Sequence, residues 1–431
     1  MKKSFILIFI ISLNLYAQTD TLFLSLDSAL NLALTKSPDK TEALIDKKSG
    51  LINLVNGLTG ILPSPSAQAN YAVTKNSVLS NTPNSQTTTY SGTIGLNQVI
   101  FDPNAYAGIY KGILSNDYYR LSAKNKLANI VYTVKTSYYN LAKAYHLYEI
   151  AQTALHRAQD NFNFAKEKYQ LGQITKFELL RSETYQSQAE LDLLNAEKNL
   201  KIATEELKSQ IGYNDNFPIK PITIPEIKNI ELDDNLVLLN IFANNPTLNQ
   251  NKKTKTIART SYLQAIANLL PTINFFWQSN YTDTILPKSI SNWQQQDNIS
   301  YGIRLNFPIF EIKSYLLNIS NTRNELNRAK LLERKAEILI HKTAIDAIYA
   351  YKDAKVRYQY ALKNLELNQN LLTLAQEQYR LGAISQLDLF NVELNFRNAQ
   401  NTYISALYDT YTSYAQIEYL MGITNLREKF E

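Results

Sequence analysis

The sequence contains the same pattern twice. The segment YQLGQIT, from Tyr169 to Thr175, returns 210 positions later as YRLGAIS, from Tyr379 to Ser385. The same offset separates Gly212 from Gly422. A repeat of this length predicts one supersecondary unit in each half of the chain and a fold built from two such units.

The repeat and the composition along the chain predict five segments. Lys2 and Lys3 precede an apolar run that ends near Tyr16-Ala17-Gln18, a pattern typical of a secretory signal peptide cleaved after Ala17. Proline-spaced sequence separates the two halves. The expected segments are a signal peptide over 1–17, a first repeat over 18–216, a linker over 217–233, a second repeat over 234–422 and a C-terminal tail over 423–431.

Each half is expected to contain a broken helix, two strands and a long helical hairpin. Apolar or aromatic residues alternate with small polar ones over 64–74, 90–97, 272–278 and 301–307, which predicts four strands. A soluble sandwich is one alternative, but four strands are few for a chain of this length. Each strand is long enough to cross a bilayer when tilted.

Four strands cannot close a barrel, and open strand edges in lipid leave costly unpaired backbone groups. Other copies of the chain must therefore supply more strands. Two copies would give about eight strands, whose interior is filled by side chains, whereas three would give about 12 and leave a conduit. The strands therefore predict a homotrimer.

Long coiled-coil hairpins are predicted to follow the strands. Helical sequence runs from Pro103 to Leu171, a length of roughly 100 Å, with apolar residues at alternating spacings of three and four that are typical of a coiled coil. Gly172 and Gly382 suit the left-handed position that ends a helix. The fold class expected is therefore mainly α with a small antiparallel β part and a two-fold internal repeat.

The composition disfavours an enzyme. The chain has no cysteine, only three unclustered histidines, and no glycine-rich phosphate loop or nucleophile elbow. The net charge of +6 is scattered rather than gathered in a basic patch. We therefore expect no catalytic residue, cofactor, metal or nucleic acid. A soluble periplasmic coiled-coil adaptor or binding protein remains an alternative to a channel.

The complete pattern resembles the TolC-like family of outer membrane efflux proteins. The resemblance covers nearly all of the mature chain. It includes SLDSAL from Ser25 to Leu30, the Ser37-Pro38 and Asn245-Pro246 turns, and Leu62-Pro63 before the first strand. It implies a trimer in the cell outer membrane with a 12-stranded barrel and a periplasmic helical tunnel. An inner-membrane transporter and a periplasmic adaptor would dock at the hairpin turns, and substrates would leave passively by efflux or type I secretion.

The resemblance also implies two sets of site residues at those turns. Asp388 matches the first acidic lumen position of similar proteins, the second position is the neutral Asn391, and the first-half equivalents are Glu178 and Arg181. Three Asp388 carboxylates would form a ring that favours cations. The alternative is that Asp388 and Glu178 only cap helices, in Ser385-x-x-Asp388 and Thr175-x-x-Glu178 capping boxes. The expected adaptor contacts, which are otherwise ordinary turn residues, are Leu171, Gly172, Ile174, Thr175, Leu381, Gly382, Ile384 and Ser385.

Overall fold

The computed structural model describes residues 22–75, 86–213, 219–222, 231–286, 297–307 and 312–424. The predicted signal peptide lies outside these residues, as does most of the predicted tail. Two long helical hairpins and a four-stranded antiparallel sheet dominate the described part, which confirms the predicted fold class. None of the described helices is both long enough and apolar enough to cross a membrane.

The two repeats have the same order of elements. The first contains α1 (Leu26–Lys36), α2 (Pro38–Thr59), β2 (Ser64–Lys75), β3 (Gln86–Phe101), α3 (Pro103–Gln170) and α4 (Lys176–Ile211), preceded by β1 (Leu22–Leu24). The second contains α5 (Asp234–Asn244), α6 (Pro246–Ala267), β5 (Thr272–Asp283), β6 (Asp297–Asn306), α7 (Ile312–Arg380) and α8 (Gln386–Leu420), preceded by β4 (Ile219–Pro221).

Local chemistry explains where the long helices begin. Asp102 caps α3 by accepting a hydrogen bond from the backbone N–H of Asn104 at 2.8 Å, and Pro103 occupies the first turn. Ser37 caps α2 in the same way and Pro38 follows it, so the chain breaks between α1 and α2 as predicted. The 68 residues of α3 span roughly 100 Å.

The sheet is longer than the alternation predicted. Its order is β2-β3-β5-β6, and every neighbouring pair is antiparallel. β3 begins at Gln86 rather than near Tyr90, because its threonine run offers no alternation to read. β6 extends from Asp297 to Asn306, four residues earlier than expected at its start.

A second, parallel pair of strands was not predicted. β1 pairs with β4, with Leu22 opposite Ile219 and Leu24 opposite Pro221. β4 lies within the predicted linker, so that linker contributes structure to the first repeat. The hydroxyl of Tyr138 donates toward the carbonyl oxygens of Leu24 and Ile222, at 3.0 and 2.9 Å, and fastens the pair to α3.

Each repeat has its own apolar core, located where its hairpin meets its first short helix. In the first, Leu30, Tyr138 and Leu207 are almost fully buried. In the second, Ile348 and Ile417 stand 210 positions after Tyr138 and Leu207 and are equally buried. The two repeats therefore share the packing of their cores as well as their sequence pattern. The exact repeat boundaries stay a prediction.

Candidate functional site: the two-faced sheet and the hairpin turns

One face of the four-stranded sheet is mainly apolar, with Ser279 and Gln98 among its polar exceptions and charged residues only at the strand ends farthest from the helices. Residues directly opposite each other in an antiparallel sheet point to the same side. The register places Tyr71 opposite Tyr90, Leu96 opposite Trp277, and Leu305 opposite Ile273. The same face also carries Ala67, Ala69, Val73, Ile94, Phe275, Ile299, Tyr301 and Ile303. This face has the chemistry of a surface that contacts hydrocarbon.

The opposite face is polar. Thr93 lies opposite Asn280, and its hydroxyl donates to the side-chain oxygen of Asn280 at 2.9 Å. Around this pair the same face carries Ser64, Ser66, Gln68, Asn70, Thr74, Thr89, Ser91, Asn97, Asn274, Gln278, Asn298, Ser300, Arg304 and Asn306. A sheet with one apolar and one polar face, alternating residue by residue, is typical of the wall of a water-filled transmembrane barrel.

Both edges of the sheet are open. Among the described residues, β2 pairs only with β3 and β6 pairs only with β5. Tyr71 on β2 is 64% exposed, and Tyr301 on β6 is 73% exposed. Long apolar edges of this kind aggregate unless other strands cover them. Both edges of the sheet therefore need further strands or another cover.

The turns of the hairpins lie at the ends of the long helices farthest from the sheet. Gly172 and Gly382 have φ of 71° and 74°, in the left-handed region where a side chain is strained. The backbone N–H of Gln173 donates to the carbonyl of Lys168 at 2.9 Å, and the equivalent bond from Ala383 measures 2.8 Å. The two turns therefore have the same Schellman-type geometry.

Both predicted capping boxes form. The N–H of Thr175 donates to Glu178 Oε2 at 2.9 Å, and the N–H of Ser385 donates to Asp388 Oδ2 at 3.2 Å. The hydroxyl of Ser385 also donates to Asp388 at 2.6 Å. The hydroxyl and backbone hydrogen bonds from Ser385 lower the pKa of Asp388 below its usual value. Asp388 is thus an exposed anion at neutral pH as well as a cap.

The other predicted gate residues differ in their surroundings. Asn391 is exposed and stands one turn after Asp388, on the same side of α8. Arg181 lies over the ring of Phe177, with the guanidinium carbon 4.7 Å from the ring centre. The structure therefore leaves Asp388 and Asn391 open to solvent, while Arg181 is held against its own helix.

The predicted adaptor-contact residues fall into two groups. Leu171 and Leu381 are each 72% exposed, which is unusual for leucine. Ile174 and Ile384 are partly buried. A Cβ on Gly172 or Gly382 would meet no atom of the described residues within 4 Å, so both turns protrude from the described part of the chain.

Side chains that the sequence analysis missed link the two hairpins. Gln386 Nε2 donates to Ser182 Oγ at 2.6 Å, and Arg397 forms a 2.8 Å ion pair with Asp192. The rings of Tyr185 and Phe390 lie 4.1 Å apart. These partners are more than 200 positions apart and follow no motif, so no local signal marks them.

A further link involves a partly buried acid. Asn161 Nδ2 donates to Glu393 Oε2 at 3.1 Å. Burial raises the pKa of Glu393, and the hydrogen bond from Asn161 and the charge of Arg157 oppose the shift. The described residues contain no group of three or more metal-ligating side chains.

The fold and the two-faced sheet define a subunit of a membrane channel with a helical extension. Residues 30–213 and 237–423 match the outer membrane efflux protein family, and the chain belongs to that family. Members are outer-membrane channel components of tripartite efflux systems, with their helical part in the periplasm, and they are passive channels rather than enzymes. Membership therefore supports the channel and not the soluble adaptor.

Solved structures have the same fold. The chain is similar to the Campylobacter jejuni CmeC outer membrane channel, with 16% identity, 92% of this chain and 85% of that chain covered, and a TM-score of 0.82. It is similar to the outer membrane protein VceC of Vibrio cholerae, with 14% identity, coverage of 92% and 96%, and a TM-score of 0.79. It is also similar to the open state of the Neisseria gonorrhoeae MtrE outer membrane channel, with 16% identity, 92% of this chain and 88% of that chain covered, and a TM-score of 0.76. Comparison with curated proteins found no match.

Proposed function

We propose that three copies of the chain form the exit duct of a tripartite efflux or type I secretion system. Their three sheets close into a 12-stranded barrel, with the apolar faces against outer membrane lipid and the polar faces around water. Their six hairpins form one periplasmic tunnel. The observation that carries this proposal is the two-faced sheet with two open edges.

The number of copies follows from closure. Each chain contributes four strands to the sheet. Two chains would give a barrel of about eight strands, which side chains fill, whereas about 12 strands leave room for a conduit. The side chains of the polar face form hydrogen bonds to water only when the barrel interior contains water. A barrel of about 12 strands therefore agrees better with this face than one of about eight.

The internal repeat predicts how neighbouring copies pair. β3 corresponds to β6, and β5 corresponds to β2, at offsets of 209 and 208. The contact between β3 and β5 inside one chain therefore has a counterpart between β6 of one copy and β2 of the next. The observed pair of Leu96 and Trp277 maps onto Leu305 of one copy opposite Ala69 of the next.

The absence of cysteine from the sequence makes this register testable. A chain carrying Leu305→Cys and Ala69→Cys is expected to form covalent trimers in the outer membrane after oxidation, as seen on a non-reducing denaturing gel. The control carries Leu305→Cys with Val73→Cys. Its second position lies four residues further along β2, roughly 13 Å away, beyond the reach of a disulfide. A ladder that ends at dimers, or equal cross-linking in the control, refutes the trimer or the register.

The hairpin turns are proposed as the docking site of a periplasmic adaptor, which connects the duct to an inner-membrane transporter. The exposure of Leu171 and Leu381 at protruding turns supports this role. The same region supports a gate, because Asp388 is an exposed anion beside the turn. Photo-crosslinking from positions 171 and 381 in cells is expected to capture the adaptor, and capture only from the sheet would contradict this placement.

A further inference from the structure

Arg304 stands apart on the polar face of the sheet. It carries the only charge among the described residues of that face. Its cross-strand partner is the neutral Asn274. No carboxylate of the described residues forms an ion pair with it. Within the part of the chain that the structure describes, this cation is therefore not neutralised.

The surroundings hold the Arg304 side chain over the sheet. Its guanidinium carbon lies 4.7 Å from the centre of the Phe276 ring, a cation–π contact. Phe276 is itself the only aromatic residue on the polar face within the described strands. Gly302 lies directly opposite Phe276, and a Cβ there would meet the ring at 3.4 Å. The glycine therefore makes room for the aromatic ring on which the guanidinium rests.

Arg304 lies near the helical end of the barrel wall. It is two residues before Asn306, where β6 ends, which corresponds to about 7 Å along the strand. The register inferred between copies places it opposite Asn70 of the neighbouring copy, another neutral amide. Both cross-strand neighbours of Arg304 in the wall, Asn274 and the inferred Asn70, are therefore neutral and leave its charge in place.

We propose that three Arg304 guanidinium groups form a cationic ring where the barrel meets the helical tunnel. The ring selects for solutes that carry carboxylate, phosphate or sulfonate groups. This inference rests on the proposed trimeric channel. Phe276 acts as a positioning residue that keeps each guanidinium projecting toward water, and Gly302 permits that position.

The ring is independent of the anionic gate proposed at Asp388. Arg304 lies in the strand before α7 and Asp388 lies just beyond the far end of α7, a helix of 69 residues that is roughly 100 Å long, and charges separated by more than about 10 Å are screened at 0.1 M salt. The selectivity of the whole duct depends on both rings in series. The effect of Arg304 is therefore measured in an Asp388→Asn background, which removes the opposing charge.

The test is the zero-current potential across a planar bilayer under a KCl gradient. Arg304→Gln is expected to lower the chloride-to-potassium permeability ratio about threefold to fivefold near 0.1 M salt, as estimated for three unit charges about 10 Å from the axis. The difference should vanish near 1 M, where the Debye length is about 3 Å. Arg304→Lys should retain the wild-type ratio in large part because it keeps the charge.

Two further variants separate charge from structure. Arg304→Met is a second neutral substitution that keeps an unbranched side chain over Phe276, and it should match Arg304→Gln. Ser300→Ala changes the same face of β6 without altering charge and should leave the ratio unchanged. An unchanged ratio in both neutral variants, with trimers and conductance intact, overturns this inference alone. A wild-type chain that forms no trimer and no channel overturns the proposed function, and the ring with it.

Discussion

Replacing Tyr138 with phenylalanine tests how the segment between the repeats is fastened to the first hairpin. Tyr138 is 1% exposed, and its hydroxyl is shared between the carbonyl oxygens of Leu24 and Ile222. Leu24 keeps another partner, because its carbonyl also accepts from the N–H of Ile222 at 3.0 Å. The substitution therefore removes a hydrogen bond mainly from the carbonyl oxygen of Ile222.

The expected cost follows from that carbonyl. Leaving a buried acceptor without a partner costs about 1–3 kcal/mol. Ile222 as a residue is 44% exposed and its hydrogen bond to Tyr138 is partly buried, so water reaches this position in part, and we expect the lower half of that range. A change of about 1–2 kcal/mol in local opening corresponds to a factor of about 5–30 in the open population.

Hydrogen exchange measured by mass spectrometry on the purified channel reads this population directly. Peptides that cover residues 22–24 and 219–222 should exchange about 5–30 times faster in Tyr138→Phe. Peptides from β5 should be unchanged. Tyr139→Phe is the matched control, since Tyr139 is 8% exposed but its hydroxyl donates to no described residue. Unchanged exchange in Tyr138→Phe, or an equal rise in the control, would refute the reasoning.

Two other predictions concern the hairpin turns. Asp388→Asn keeps an oxygen that can accept the hydrogen bonds from Ser385 but removes the charge. Cation permeability in planar bilayers should therefore fall while trimers still form. Unaltered cation permeability and unaltered block by cations would contradict the charged ring. Burial raises the pKa of Glu393, so the folded chain binds its proton more tightly than the unfolded chain, and local stability around this partly buried carboxyl falls as pH rises above the usual carboxyl range. Glu393→Gln should therefore flatten the pH dependence of intrinsic-rate-corrected hydrogen exchange near this carboxyl on the alkaline side of the usual carboxyl range, and an undiminished dependence would contradict it.

Much of the fold was predictable because strands and helices produce periodic patterns of apolar residues in the sequence. The alternation in β2 and β5 predicts which side chains lie on the apolar face of the sheet, and the spacing of three and four in α3 predicts which face packs against another helix. The turns at Gly172 and Gly382 were predictable because a left-handed residue after a helix requires glycine. The α3 boundaries differ from the prediction by one residue at its end.

The candidate site was only partly predictable. Asp388 and Glu178 were expected to cap their helices, and both do so. The links of Arg397 to Asp192 and of Asn161 to Glu393 were missed. Each joins two helices whose own patterns are complete without it, so neither sequence neighbourhood signals a partner.

The sequence by itself determined that this chain is a doubled unit of strands and long hairpins, because repeats and periodicity are local properties. Only the tertiary structure decided which distant residues meet. β1 and β4 are three residues each, too short for any pattern, and they pair across almost 200 positions. Arg304, Phe276 and Gly302 become neighbours through the register of β5 and β6. Register is set by the packing of whole strands against one another, so no single strand contains it.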